Sequence, residues 1–229
     1  MDTKAAYKAM REKAPELFKN AASGGIDILS DDETIAQAEA LRAAIVEDGA
    51  PDVWRQCGLL YRDAFVTILK DPVRFPDGRL STYSRVLMSR ESQRSVAIFP
   101  MREGKCVLMR EYRHAIRRFN WGIPRGLPEN GATLEEDARR EVQEEIGAEV
   151  VRLEPLGVIA PEPGFTGYDS ALFLAEVVGS FKGQTTEAIS EIIEISPGEL
   201  AAKIASGEIT DGFVLGAFAK LVAMGKIQI

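Results

Sequence analysis

Glu141, Glu144 and Glu145 stand at i, i+3 and i+4, the spacing that sets carboxylates side by side on one face of a helix. Like charges so placed repel by about 0.2–0.5 kcal/mol per pair, so their retention asks for a cation. A divalent metal removes the penalty. A bound metal can also offset the charge of an anion and make a water more acidic. Mg²⁺ takes oxygen ligands and keeps several waters, and Mn²⁺ is the expected substitute. The residues just upstream, Arg110, Arg113, Arg117, Arg118 and Arg125, are basic. A basic stretch followed by an acidic one suits a small anion held with a metal. Without the cation, the same glutamates describe a solvated acidic face that Arg139 and Arg140 balance in part.

The helix that carries them is specified locally. Thr133 and Glu136 form a T-x-x-E capping box, Glu135, Glu136 and Asp137 suit the positive N-terminus, and Gly147 can end the helix in the left-handed conformation. Leu134, Ala138, Val142 and Ile146 recur every four residues as its apolar stripe. Before it, AFVTILKDPVRF, LSTYSRVLMS and SVAIF read as strands separated by turns such as Pro76-Asp77-Gly78, and Arg102 to Lys105 turns SVAIFP back into CVLMREYR. After it, strands are expected near 150–160, 170–181 and 189–195, then helices near 197–206 and 211–225. The first 50 residues read as two helices, the break between them at Gly24-Gly25 and the end at Gly49-Ala50-Pro51. They are expected to serve as a helical cap or dimer contact. Strands mixed with few helices, without regular alternation, predict an α+β layered fold.

The chain has 229 residues, 45% of them hydrophobic and 28% charged, enough for an ordinary core and unlike a disordered chain. No window approaches the roughly 18 consecutive apolar residues of a membrane span, and the alanine- and lysine-rich start lacks an apolar signal core. Cys57 and Cys106 are too few for a disulfide framework or zinc site, and His114 is the single histidine. A reducing cytoplasm fits. The net charge of −7 repels polyanions, and the N-terminal segment shows no basic recognition helix, so nucleic acid is not an expected partner.

The string GLPENGATLEEDARREVQEEIGA resembles the signature of the Nudix hydrolases: Gly, five residues, Glu, seven residues, Arg-Glu, apolar, any, Glu-Glu, any, Gly, apolar. Gly126, Arg140, Glu141, Val142, Glu144, Glu145, Gly147 and Ala148 fall on their places, and Ala132 stands where the signature has its first glutamate. FPDGRLSTYSRV, VLMREYR, Ile123-Pro124-Arg125-Gly126 and Gly207 to Gly212 look like the subgroup of ADP-ribose pyrophosphatases and nucleoside diphosphate sugar hydrolases. Pro163, fifteen residues beyond Ala148, sits where that subgroup has its marker proline. Gly122 departs from it, since the subgroup commonly has a glutamate there.

The resemblance implies a Nudix-type α/β/α sandwich with a mixed central sheet. It covers about residues 59–225 and divides the chain into a helical extension, 1–58, and a Nudix domain, 59–229. Residues 59–93 would form a small antiparallel sheet whose strands exchange between the subunits of a homodimer. It further implies Mg²⁺-dependent cleavage of ADP-ribose or a related nucleoside diphosphate sugar into a nucleoside monophosphate and a sugar phosphate. Glu141, Glu144, Glu145 and the backbone carbonyl of Arg125 would hold the metal, and Arg140 would steady a carboxylate. Arg113 matches an arginine that contacts phosphate, and its guanidinium suits bidentate binding. The proton acceptor is open between Glu144, Asp169, Glu187 and Glu191, with a weaker claim for Glu162. Among the nearby aromatics, Phe165 and Tyr168 lie in a loop and can stack on a base. Two further readings stay open: a nucleotide-metabolite sensor without efficient catalysis, which Ala132 and Gly122 favour, and a hydrolase of nucleoside triphosphates or dinucleoside polyphosphates.

Overall fold

A computed structural model describes residues 2–90, 92–183 and 188–229. The chain divides into two compact units, Met1–Glu91 with Glu162–Gly167, and Ser92–Pro161 with Tyr168–Ile229.

In the first unit, helix α1 (Thr3–Lys13) starts on the Asp2 carboxylate, which accepts from the Lys4 and Ala5 amides. Pro15 turns the chain into a short 3₁₀ helix, Pro15–Phe18. The first helix therefore ends well before Gly24-Gly25, because proline cannot supply the amide that a continuing helix needs. Strand β1 (Asp27–Ile28) follows, then α2 (Asp32–Ala43), whose N-cap is Asp31. Strands β2 (Gly58–Arg62), β3 (Val66–Arg74) and β4 (Leu80–Met88) complete an antiparallel sheet in which β3 pairs with β1, β2 and β4. Leu59, Leu69 and Leu87 of this sheet close over Tyr7 and Phe18. Within that core Asp71, 2% exposed, accepts from the Tyr7 hydroxyl and the Arg85 guanidinium. The segment 162–167 lies along β4: the Val86 amide donates to the Phe165 carbonyl at 3.0 Å and the Gly167 amide to the Val86 carbonyl at 2.8 Å.

The second unit is built on a mixed sheet. Its strands are β5 (Arg94–Arg102), β6 (Lys105–Arg113), β7 (Arg118–Gly122), β8 (Arg125–Gly126), β9 (Glu149–Ile159), β10 (Asp169–Val178) and β11 (Ile189–Ile195). The main order is β11-β6-β5-β10-β9, with β7 on β6 and β8 on β5. β10 runs parallel to β5 and the other pairs are antiparallel. Helix α3 (Leu134–Ile146) covers one face, where Ala138, Val142 and Ile146 pack with Val96, Ile98, Val107 and Met109. Helices α4 (Pro197–Ala205) and α5 (Gly212–Ala223) cover the other, where Leu200, Val214, Ala217 and Leu221 meet Phe99, Leu108 and Leu172. This is the α+β class and the layered unit that the sequence predicts. Both periodicities are at work: period 2 sends alternate strand residues to opposite faces, and period 3.6 turns one stripe of α3 inward.

Candidate active site

The glutamates sit on α3, which forms as its residues dictate. Thr133 and Glu136 make the capping box, and Gly147 closes the helix at φ 70°. The Thr133 amide and hydroxyl hold the Glu136 carboxyl below its ordinary pKa. With the apolar stripe anchored in the core, Glu141 and Glu145 are drawn in to 7% and 4% exposure, while Glu144 stays half-exposed.

Arg140 organises this face. Its guanidinium contacts Glu141 at 2.7 Å, Glu144 at 2.8 Å, Asp137 at 3.1 Å and Glu129 at 3.5 Å. Burial works against its charge, but the bond to Asp137 and the fields of Glu141 and Glu144 outweigh it and raise its pKa. Glu145 points at the loop instead and accepts from the Arg125 amide at 3.1 Å. Glu141 fills the space beside Gly126: a Cβ there would stand 1.9 Å from its Oε1. The signature glycine is thus an opening for a carboxylate, and any side chain would collide with it.

A second group of charges adjoins the first through Arg125. Its side chain bonds Asp211 at 2.9 and 3.3 Å and Glu111 at 3.3 Å, and Glu111 also pairs with Arg113. Glu111, 4% exposed, lies against Gly122, where a Cβ would be 2.7 Å from its Oε1. The two family acids missing from the sequence therefore each have a neighbour of the same charge. Glu111 stands at Gly122, and Glu129, three residues before Ala132, faces Arg140.

Asp169 opens β10 opposite Arg94 and is held by it in a two-point pair at 2.5 and 2.8 Å. Tyr168 precedes it, half-buried, in the same unit. Phe165, half-exposed, and Glu162 belong to the first unit. Glu191 is exposed on β11, and Glu187 lies outside the described residues. Arg113 ends β6, and its buried Nε has no hydrogen-bond partner among the described residues.

Among the described residues no three His, Cys, Asp or Glu side chains meet at one point as a metal cage. The Glu141 and Glu144 carboxylates are gathered by Arg140 and that of Glu145 by a backbone amide. The donor set nevertheless suits a hard cation. It is all oxygen and largely buried, and the charges around it run to seven carboxylates (Glu111, Glu129, Asp137, Glu141, Glu144, Glu145, Asp211) against three guanidiniums (Arg113, Arg125, Arg140), an excess that a divalent ion reduces.

Residues 91–212, more than half of the chain, match the family model of the NUDIX domain. The chain belongs to the Nudix family. It is 28% identical over 163 residues to the ADP-ribose pyrophosphatase of Mycobacterium tuberculosis (strain ATCC 25618 / H37Rv), covering 68% of this chain and 76% of that one. It is 24% identical over 156 residues to the ADP-ribose pyrophosphatase of Bacillus subtilis (strain 168), covering 66% of this chain and 82% of the relative. The fold is shared with a crystal structure of an ADP compounds hydrolase at TM-score 0.64 and 18% identity, covering 75% of this chain and 92% of that one. This Nudix chain is a hydrolase, and the family implies a nucleotide-derived substrate. Among the described residues no helix is long and apolar enough to cross a membrane.

The sequence pattern does not mark Glu111, Glu129, Asp137, Asp211 or Arg94 as site residues. Asp211 carried a usable signal as the acid opening the last helix, but the partners of Glu111 and Arg94 come together only through strand pairing.

Proposed function

We propose that this Nudix hydrolase cleaves the diphosphate of ADP-ribose or a related nucleoside diphosphate sugar, with Mg²⁺ held by Glu141, Glu144, Glu145 and the Arg125 carbonyl. The observation that carries this reading is the buried carboxylate pair at the junction of loop and helix, Glu141 against Gly126 and Glu145 on the Arg125 amide. The named activity of both pyrophosphatase relatives supports the substrate class. When bound, Mg²⁺ supplies positive charge to the diphosphate oxygens and makes water more acidic.

The residues of the chain do the rest. Arg140 fixes Glu141 and Glu144 from one guanidinium, so neither carboxylate has to be ordered when substrate arrives. Arg113 binds a phosphate through its fork. Glu144, the most exposed of the three, meets Arg140 through Oε2 only, so its other oxygen can take the proton of the attacking water, whereas both oxygens of Asp169 are engaged by Arg94. Tyr168, in the unit that carries α3, is proposed to stack on the base. Residues 59–93 are proposed to exchange between two copies of the chain, with residues 1–58 as an extension to the 59–229 domain; sedimentation of the purified protein tests the dimer.

The deciding experiment is release of phosphomonoester from ADP-ribose, NADH, GDP-mannose, UDP-glucose and ATP with Mg²⁺, alongside Glu141→Gln and Glu145→Gln. The expected result is preferred cleavage of ADP-ribose and loss of about a hundredfold or more in each variant, the scale of removing a group that acts on transition-state charge. Full activity in both variants overturns the assignment of α3.

A further inference from the structure

Arg125 spans the end of the central sheet. Its backbone amide serves Glu145 on α3, on one face, and its side chain reaches Asp211 at the head of α5, on the other. We propose that Arg125 and Asp211 are positioning residues: their ion pair, steadied by Glu111, holds the Pro124-Arg125-Gly126 backbone where its amide meets Glu145 and where Gly126 admits Glu141. The inference rests on the reading of α3 as the metal site and adds to it side chains, those of Arg125, Asp211 and Glu111, that act on the loop backbone and not on the metal or the substrate.

The geometry is specific. Asp211 and Glu111 are 7% and 4% exposed, and the Arg125 side chain is largely buried between them and stacks over the Phe213 ring at 4.8 Å. Buried ion pairs are poor sources of stability, because desolvation offsets most of the Coulomb attraction and apolar residues of similar volume usually serve as well. A fold that needed only packing at this corner would be filled with leucine. A guanidinium fork gives direction instead: it engages both Asp211 oxygens and Glu111 at once, which a lysine ammonium cannot do. Room for Glu111 comes from Gly122, its diagonal neighbour on β7, whose missing side chain leaves the space that the carboxylate occupies. Three separate segments, β6, the β8 turn and the start of α5, thus converge on one residue whose amide binds a helix glutamate.

Asp211 also caps α5, accepting from the Phe213 and Val214 amides, so a merely structural role must be separated from a positioning one. Asp211→Asn does this, since asparagine caps a helix as well as aspartate but carries no charge for Arg125. The test is Mn²⁺ binding without substrate, counted as free Mn²⁺ by electron paramagnetic resonance, with thermal unfolding and a KM-against-kcat split beside it. The variants are Asp211→Asn, Arg125→Met, Arg125→Lys and Glu145→Gln.

Asp211→Asn and Arg125→Met are expected to weaken Mn²⁺ binding about tenfold to a hundredfold, the usual cost of losing a residue that orients a metal ligand. Arg125→Lys should recover part of the loss, KM at saturating metal should not move, and Asp211→Asn should keep the α5 cap and unfold in one cooperative step, at a lower melting point because Arg125 loses a charged partner, with Mn²⁺ binding read well below that point. Mn²⁺ binding unchanged in Asp211→Asn and Arg125→Met but lost in Glu145→Gln overturns the positioning role and leaves the metal site standing. Binding unchanged in Glu145→Gln as well overturns the metal site itself.

Discussion

Replacing Gly126 by alanine adds one methyl group at the place where Glu141 meets the loop. The new Cβ would lie 1.9 Å from Oε1, 2.1 Å from Cδ and 2.5 Å from Oε2. A carbon and an oxygen rest at about 3.3 Å, so the carboxylate has to retreat by about 1.4 Å. It sits under the loop at 7% exposure and on Arg140 at 2.7 Å, so its retreat opens that contact too. A misplacement of about 1 Å in a catalytic arrangement costs about a hundredfold in rate, which is about 2.7 kcal/mol of transition-state stabilisation. The crowding itself should cost about 1–3 kcal/mol of stability, each kcal/mol lowering the melting point by about 2–4 °C in a chain of this size. Gly198→Ala is the control, because nothing lies within 4 Å of the added methyl. The assay is kcat and half-saturating Mg²⁺ on ADP-ribose, with a thermal melt of each variant. A Gly126→Ala protein that matches Gly198→Ala in both constants would refute the account of Glu141 as a carboxylate fixed against the loop.

Three other outcomes are expected. Glu144→Gln should lower kcat by about 10²–10⁴, the contribution of a general base, while Asp169→Asn keeps it; the opposite pattern in steady-state kinetics would put the base after the 162–167 loop. Asp71→Ala strands the Arg85 guanidinium in the first unit and should cost about 3–5 kcal/mol, against about 1.5–3 kcal/mol for Tyr7→Phe, which removes one hydrogen bond to a charged group; urea midpoints read both. Glu136 and Glu199 are held below the ordinary carboxylate pKa by the Thr133 and Ser196 groups they bond. Their contribution is present above the unfolded pKa and lost as pH falls through the folded one, so melting points at acid pH should fall less steeply in Glu136→Gln and Glu199→Gln than in the parent.

What could be read from the sequence was what is settled within a few residues. Helix α3 is the clearest case: cap, stripe, charge and terminator all lie between Thr133 and Gly147, and the observed helix obeys each. The hairpin between β5 and β6 and the final helix followed from equally local signals. Other features were hidden because their causes are distant in the chain. Asp169 looked like an acid at a strand entry until the parallel register of β5 and β10 set Arg94 beside it, 75 residues away. Gly122 departs from the family acid, and strand pairing sets the Glu111 carboxylate against it. The family pattern points only to the backbone of Arg125, and its side chain is explained by Glu111 and by Asp211, 86 residues on. A first helix running to the glycine pair at 24 and 25 does not form, because Pro15 ends it at Lys13.

The chain enters the segment 162–167 from β9 and leaves it into β10, both strands of the second unit, yet the segment itself belongs to the first. Its backbone is completed by Val86, and the Tyr83 hydroxyl closes on the Gly164 carbonyl at 2.7 Å. A gene trimmed to begin at residue 92 would keep the whole family signature and still leave this hexapeptide without the strand that shapes it. Strand β4 and the hexapeptide are therefore one structural piece. Most of these bonds are made by backbone atoms, so the hexapeptide depends on β4 being present and, beyond Tyr83, little on which side chains β4 carries.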